Sequence, residues 1–162
     1  MSVSYMGSSG EASAVFRSTG DVDSLQIGSA TMARFVASGS STDGRFGLFR
    51  WDMTGGAGGA STHFHRTFSE SFYVLDGTVR LYDGRDWVDA GPGDFLHVPE
   101  GGVHGFHNEG DAAASMLILF APAPPRERYF QELAEIISSG REMTDEEWTD
   151  FFARHDQYMV QT

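Results

Sequence analysis

Between residues 13 and 121, apolar side chains occur in short runs that alternate with small or polar residues. The runs are rich in β-branched and aromatic side chains, which is typical of strands in a folded sheet. They lie within the segments SAVFR, SLQIGSATMARFVAS, RFGLFRWDM, SFYVLDGTVRLYDG, WVDAGPGDFLHVPEGG, VHGFHNEG and ASMLILFAP. About nine or ten strands with no helix between them predict an all-β domain, an antiparallel sandwich or barrel, over residues 13–121.

Glycine marks two breaks in this pattern. Asp76-Gly77 separates two strand-like runs and predicts a tight hairpin turn. The segment TGGAGGAST, residues 54–62, predicts a glycine-rich loop that leads into the sequence THFH.

The two ends of the chain have a different character. Residues 1–12 are small and polar and predict a flexible N-terminal arm. Over residues 122–162, prolines end the sheet pattern and apolar residues recur at helical spacing. Gly140 is expected to end a first helix, and Thr144 with Glu147 predicts a capping box for a second.

The apolar positions of these helices are Phe130, Leu133, Ile136, Ile137, Trp148, Phe151 and Phe152, with His155 on the same stripe. Amphipathic helices generally cover a core. We therefore expect a two-helix extension packed on the barrel or on a partner subunit. The alternative is a lid over the barrel mouth.

Composition narrows the chemistry. The chain has no cysteine, which excludes a thiol nucleophile, a disulfide and a cysteine-zinc site. All eleven basic residues are arginines, so Schiff-base chemistry on lysine is also excluded. The formal net charge of −12 argues against nucleic acid or an anionic membrane surface as a partner.

No apolar run approaches the roughly 20 residues of a membrane span, and residues 1–20 lack the layout of a secretory signal. We therefore expect a soluble, cytoplasmic protein.

Four side chains are candidates for a metal centre. His63 and His65 lie on the same side of one extended segment, Glu70 follows near the start of the next strand, and His104 follows a proline-glycine turn. Three neutral imidazoles and a carboxylate can converge on a divalent ion at roughly 2.0–2.2 Å. This mixed donor set suits iron, manganese, nickel, cobalt, copper or zinc and does not choose among them.

The remaining histidines are expected to be structural. His107 should point away from the metal, because it lies three residues after His104 in a strand-like segment. His155 lies outside the segments that contain the candidate metal ligands. For His97 the alternative is a hydrogen bond to a metal ligand or to the substrate.

Three aromatic residues, Phe72, Phe95 and Phe106, are expected in the core or on the wall of an apolar substrate pocket. Phe72 has the same strand parity as Glu70, and Phe106 the same parity as His104, which favours the pocket for both.

The motifs His63-x-His65-x4-Glu70-x6-Gly77 and Gly93-x5-Pro99-x-Gly101-x2-His104-x3-Asn108 resemble the paired motifs of the cupin superfamily. The resemblance covers residues 14–121. It implies a cupin β-barrel (an antiparallel jelly roll, or double-stranded β-helix) followed by a C-terminal helical tail. It also implies that His63, His65, Glu70 and His104 hold one divalent metal ion inside the barrel.

One position departs from the family pattern. Ala57 stands where the first motif has its leading glycine, and Gly56 and Gly58 flank it. We therefore expect an altered loop and an intact site.

Within the cupins, the chain most resembles single-domain members of the flavonol (quercetin) 2,4-dioxygenase type. That resemblance implies a dioxygenase that acts on a small aromatic or enolic chelating substrate. Glu70 would be a metal ligand and also the catalytic base that accepts a substrate proton. Pairing into a homodimer through the N-terminal strands or the helices is implied as well.

Two alternatives stay open. The same open metal would serve a redox-neutral isomerase, cyclase, lyase or decarboxylase. A non-catalytic cupin that binds a small molecule is the other alternative, because fold alone does not fix function.

Overall fold

The computed structural model describes residues 4–162. Its strands are β1 (Asp23–Ile27), β2 (Thr31–Ala37), β3 (Gly47–Met53), β4 (Gly58–Phe64), β5 (Ser69–Asp76), β6 (Val79–Tyr82), β7 (Trp87–Ala90), β8 (Phe95–Val98), β9 (His104–Asn108), β10 (Ala114–Ala121) and β11 (Tyr158–Met159). Its helices are α1 (Arg126–Ser139) and α2 (Asp145–Arg154), with short 3-10 turns at Thr19–Asp21 and Gly39–Thr42.

The strands form two sheets in which every pairing is antiparallel. The first has six strands in the order β1-β2-β3-β10-β5-β8, and the second has five in the order β11-β4-β9-β6-β7. The predicted all-β fold with a helical tail is therefore confirmed.

The core lies between the sheets, because side chains at alternate positions of the central strands point inward. On β3, β5 and β10 the buried apolar residues are Phe49, Trp51, Met53, Phe72, Val74, Ala114, Met116, Ile118 and Phe120. The polar residues of β3 between these positions, Arg50 and Asp52, form an ion pair on the outer face.

The helices end and begin where the sequence predicts. Gly140 ends α1 with φ of 67°, a conformation that glycine adopts without a steric cost. The Thr144 side chain accepts a hydrogen bond from the Glu147 N–H, and the Glu147 side chain accepts one from the Thr144 N–H, which forms the capping box of α2.

The apolar face of α1 packs on the barrel of its own chain. The Phe130 ring lies 5.2 Å from the ring of Phe49 and 4.9 Å from that of Trp51, measured between centroids. None of the helices in the described residues is long and apolar enough to cross a membrane.

Three sequence predictions differ from the structure. Residues 13–17 form no strand, and Val15 and Phe16 are 81% and 90% exposed, since no neighbouring strand pairs with them. The run at residues 24–38 divides into β1 and β2 at a turn in which Gly28 has φ of 62°. β4 begins at Gly58, inside the predicted glycine-rich loop, because Gly58–Ala60 pair with β9.

The tail also contains a strand that the sequence pattern does not predict. β11 follows α2 and pairs with β4 at Phe64 and His63. Two residues are too few to show a period, so only the tertiary structure reveals this strand. The pairing brings the end of the chain back to the segment that carries the candidate metal ligands.

Candidate metal centre

Both sheets contribute to the candidate metal centre. His63 on β4 and His104 on β9 are direct cross-strand partners in the five-stranded sheet. His65 follows the end of β4, and Glu70 lies on β5 of the six-stranded sheet. The four side chains therefore meet between the sheets, as the sequence analysis predicts.

These four residues are buried, and their ligand atoms all lie within 4.8 Å of one another. That separation is comparable to the ~4 Å across an ion with ligands at roughly 2.1 Å. Within the described residues, no other group of three or more histidine, aspartate or glutamate side chains has such geometry.

Backbone carbonyls fix the tautomer of each histidine. His63 Nδ1 donates to the carbonyl oxygen of Ser61 at 2.6 Å, and His104 Nδ1 donates to that of Gly102 at 2.9 Å. His65 Nδ1 donates to the carbonyl oxygen of Asp156 at 2.6 Å. A carbonyl oxygen only accepts, so each ring carries its proton on Nδ1 and presents the Nε2 lone pair to the centre.

The chemistry of this donor set fits a cation. Glu70 Oε2 lies 3.0 Å from His65 Nε2 and 2.7 Å from His104 Nε2. Two neutral imidazoles would direct lone pairs at a carboxylate oxygen, an arrangement that is favourable only when a proton or a metal ion lies between them. A divalent ion satisfies all four groups at once.

The electrostatics of the cluster agree with this interpretation. Burial, with His104 adding to the effect, lowers the pKa of His63 to about 3, so that ring is neutral at physiological pH. Burial alone would raise the pKa of Glu70, but His104 and His65 outweigh it and hold this pKa well below its usual value. Burial alone would lower the pKa of His104, but the Glu70 carboxylate outweighs it and raises this pKa.

The metal centre opens on a cavity of about 680 Å³, with His63 and Glu70 on its wall. The size is within the range of small-molecule sites. Most of the lining is aromatic or aliphatic and comes from the barrel and the two helices, as Trp51, Phe106, Phe130, Leu133, Trp148 and Phe152 illustrate. The C-terminal helices therefore form one wall of the cavity as well as covering the core.

Three polar residues of the tail also line the cavity, namely Arg126, Tyr129 and Gln157. No motif or spacing in the sequence marks them. Arg126 follows the proline-rich segment at the start of α1, where an arginine is expected to be exposed, and Gln157 lies in a short irregular segment. Their burial depends on how the tail folds back over the barrel.

The predicted pocket residues have different positions. Phe106 lines the cavity. Phe72 is fully buried and packs 5.9 Å from the His104 ring, so it supports that ligand from the core. The prediction for Phe95 is wrong: its side chain is 64% exposed, and its cross-strand partner Tyr73 is also exposed, because both occupy the outward parity of their strands.

The other histidines lie outside the metal cluster. His97 is exposed and its Nδ1 lies 2.9 Å from Ser71 Oγ, which gives no support to a role next to the ligands. The His107 ring packs 4.8 Å from that of Trp87. His155 Nε2 donates to Glu132 Oε2 at 2.8 Å and joins α2 to α1.

Comparison with known proteins places these features in a family context. Residues 49–120 match the family model described as Cupin domain (Cupin_2). The chain is also 33% identical over 88 residues to quercetin 2,3-dioxygenase of Bacillus subtilis (strain 168), an alignment of 54% of this chain and 26% of that protein. The chain thus spans about a quarter of that relative's length.

Solved structures show the same fold. KdgF from Halomonas sp. superposes with a TM-score of 0.61 and 17% identity, over 71% of this chain and 99% of that one. The polyketide cyclase RemF from Streptomyces resistomycificus superposes with a TM-score of 0.57 and 24% identity, over 70% of this chain and 82% of that one.

Proposed function

The chain contains a cupin domain, and on that premise we propose that it is a metal-dependent dioxygenase of the quercetin dioxygenase type. Its substrate would be a small aromatic or enolic compound that chelates the metal through neighbouring oxygens. The proposal rests chiefly on one observation. Three histidines with their Nδ1 protons held by backbone carbonyls direct Nε2 to one point beside Glu70, on the wall of an apolar cavity.

This geometry supports an open metal centre. Four protein ligands leave one or two positions free on an ion that prefers five or six. The cavity adjoining the site has room for a substrate at those positions. When bound, a divalent transition-metal ion supplies Lewis acidity to a chelating group, and a redox-active one makes reaction with dioxygen accessible.

The 33% sequence identity to the quercetin 2,3-dioxygenase of B. subtilis over 88 residues supports an oxidative reaction. The aligned stretch of 88 residues is long enough to be a single domain.

Glu70 would hold the proton that the substrate loses on binding. Its carboxylate lies on the cavity wall and is ionised over the physiological range, because the neighbouring histidines hold its pKa well below the usual value despite burial. A base must lie within hydrogen-bond reach of the proton that it accepts, and a hydroxyl that approaches the metal also approaches this carboxylate. The aromatic walls from the barrel and helices would exclude bulk water from the reaction.

Oxygen consumption tests the proposal. Metal-free protein would be reloaded separately with iron, manganese, nickel and cobalt, with zinc as a redox-inert control. Each form would be offered quercetin and simple catechols in an oxygen electrode. We expect metal-dependent oxygen uptake in step with substrate loss, abolished in His104→Ala and retained in His97→Ala, which removes an exposed histidine outside the site.

Absence of uptake with every ion, in protein shown to contain the metal, would contradict the dioxygenase proposal. Substrate conversion without oxygen uptake would then indicate a redox-neutral cupin enzyme, and binding without conversion a non-catalytic cupin.

We further propose that the chain works as a homodimer. Val15 and Phe16 are exposed apolar side chains near the N-terminus, and a second copy would cover them. Light scattering on wild type and on Val15→Ser/Phe16→Ser tests this, with a dimer expected for the wild type and a monomer for the variant. The cytoplasmic location stays a prediction.

A further inference from the structure

Arg126 is a buried cation on the wall of the metal-site cavity. It is the first residue of α1, only 4% of its surface is exposed, and it lines the same cavity as His63 and Glu70. Arginine is almost never buried without a partner for its charge. Its surroundings therefore need an explanation.

The partners of Arg126 are neutral. Its Nη1 donates to the carbonyl oxygen of His155 at 3.2 Å, and its Nη2 donates to Gln157 Oε1 at 2.9 Å. Among the side-chain atoms of residues 4–162, Arg126 Nε is the buried nitrogen with no hydrogen-bond partner. The nearest ring is that of Tyr129, whose centroid lies 4.1 Å from the guanidinium carbon.

No carboxylate in the described part of the chain forms an ion pair with Arg126. The two carboxylates that influence it are engaged elsewhere. The Glu70 carboxylate is within hydrogen-bond distance of His65 and His104. The Asp156 carboxylate accepts hydrogen bonds from the backbone N–H groups of Arg66 and Thr67. Burial accordingly lowers the pKa of the Arg126 guanidinium, although an arginine in a protein stays protonated.

A purely structural role accounts for only part of this arrangement. The bonds to His155 and Gln157 connect α1 to the end of α2, and neutral donors would make them equally well. They leave the Nε–H without a partner and the charge without an ion pair, which is costly in an apolar environment. An anion that enters the cavity would accept a hydrogen bond from this N–H and balance the guanidinium charge.

The charge of the metal centre also favours an anionic ligand. A divalent ion with the single carboxylate of Glu70 has a net positive charge, and Arg126 adds a second positive centre to the lining of the same cavity. The rest of the lining is mainly apolar, so it screens these charges weakly. A cavity of this kind favours a ligand that chelates at one end and is anionic at the other.

We propose that Arg126 anchors a carboxylate or other anionic group of the substrate, while the metal centre holds the substrate's chelating oxygens. The substrate class is then an aromatic or enolic chelator with an acidic substituent. Tyr129 and Gln157, which line the cavity with Arg126, would add neutral hydrogen bonds to the same group. The inference rests on the proposed metal-dependent function, whose substrate class it narrows.

Binding measured without oxygen tests this inference. The probes are 3,4-dihydroxybenzoate, 3,4-dihydroxyphenylacetate and 3-(3,4-dihydroxyphenyl)propionate, each paired with its primary amide. The pairs differ in charge and scarcely in shape, and the series varies the distance from the catechol to the acid. Affinities for zinc-loaded protein would be measured anaerobically by calorimetry and by tryptophan fluorescence, since Trp51 and Trp148 line the cavity.

For at least one spacer length, the wild type is expected to bind the acid about tenfold or more tightly than the amide, as for a charge-assisted pair. In Arg126→Met this preference is expected to fall below about twofold, while affinity for the amide is retained. Arg126→Lys should keep part of the preference. Arg128→Gln is the matched control: it removes the same charge from an exposed position on the same helix and should leave the preference unchanged.

Equal affinity for acid and amide in the wild type at all three lengths would overturn the proposal, and this result does not depend on any variant folding. An undiminished preference in Arg126→Met would also overturn it. So would an equal loss of both ligands in that variant, because a structural role weakens acid and amide alike.

The same titrations without zinc separate this inference from the proposed function. The acid preference should persist there, since Arg126 supplies it. A preference that depends on Arg126, in a protein that consumes no oxygen, would uphold the anion site and reject the dioxygenase. Oxygen uptake without any preference for the acid would uphold the dioxygenase and reject the anion site.

Discussion

The backbone carbonyl of Asp156 accepts a hydrogen bond from His65 Nδ1 at 2.6 Å, so the loop between α2 and β11 orients a candidate metal ligand. The same residue holds the segment after β4 through its carboxylate. This group accepts from the backbone N–H of Arg66 at 3.0 Å, from that of Thr67 at 2.9 Å and from Thr67 Oγ1 at 2.6 Å. The C-terminal tail is thus part of the site.

Asp156→Ala is expected to weaken metal binding about tenfold, in line with the loss of other groups that orient histidine ligands. The variant loses the three carboxylate bonds, and φ of 54° at this position is unfavourable for alanine. Metal titration with a competing chelator measures the effect. Asp156→Asn is the control, since asparagine tolerates this φ and keeps an acceptor oxygen. Equal metal affinity in Asp156→Ala and wild type would contradict the role of the tail.

Substitution of Glu70 and substitution of the histidines should affect metal content and turnover differently. His63→Ala and His104→Ala are expected to lose most of the bound metal, because each removes a buried nitrogen ligand. Glu70→Gln should retain a measurable share of the metal and lose turnover by about 10²–10⁴-fold, the usual contribution of a general base. Elemental analysis and steady-state kinetics measure both. Full activity in Glu70→Gln would remove the base assignment.

Metal removal should destabilise the fold. An ion that binds only the native state stabilises it by about 2.7 kcal/mol when its free concentration is 100 times Kd. For a chain of this size that corresponds to a Tm lower by several degrees after treatment with a strong chelator. Calorimetry on metal-loaded and stripped protein measures the shift. An unchanged Tm, in protein shown to contain metal beforehand, would count against a site shared by the two sheets.

Metal affinity should rise with pH. Burial alone would lower the pKa of His104, but Glu70 raises it, so near neutral pH part of the metal-free protein holds a proton in this pair. The metal must displace that proton, and binding therefore weakens as pH falls through the raised pKa and levels off above it. Calorimetry in two buffers of different ionisation enthalpy should detect proton release. A pH-independent affinity with no released proton would contradict this assignment.

The sequence predicts that the four candidate ligands lie together, because their signals are local. His63 and His65 share a strand face through the period of two, and the proline-glycine turn before His104 limits where that strand begins. The hairpin at Gly77 is local in the same way, with φ of 71°.

The parts that sequence reasoning missed depend on tertiary contacts. Phe95, Leu96 and Val98 are all apolar, so hydrophobicity does not show which parity of β8 faces inward, and the exposure of Phe95 is not predictable from the strand alone. Arg126 lines the cavity and Asp156 contacts His65 only because the tail folds back over the barrel. No local pattern marks either residue.

Anomalous diffraction from crystals of metal-loaded protein tests the metal centre most directly. We expect a single strong anomalous peak per chain, bounded by Nε2 of His63, His65 and His104 and by the carboxylate of Glu70, at roughly 2.0–2.2 Å from each. A peak coordinated by other residues, or no peak in protein that elemental analysis shows to contain the metal, would contradict it.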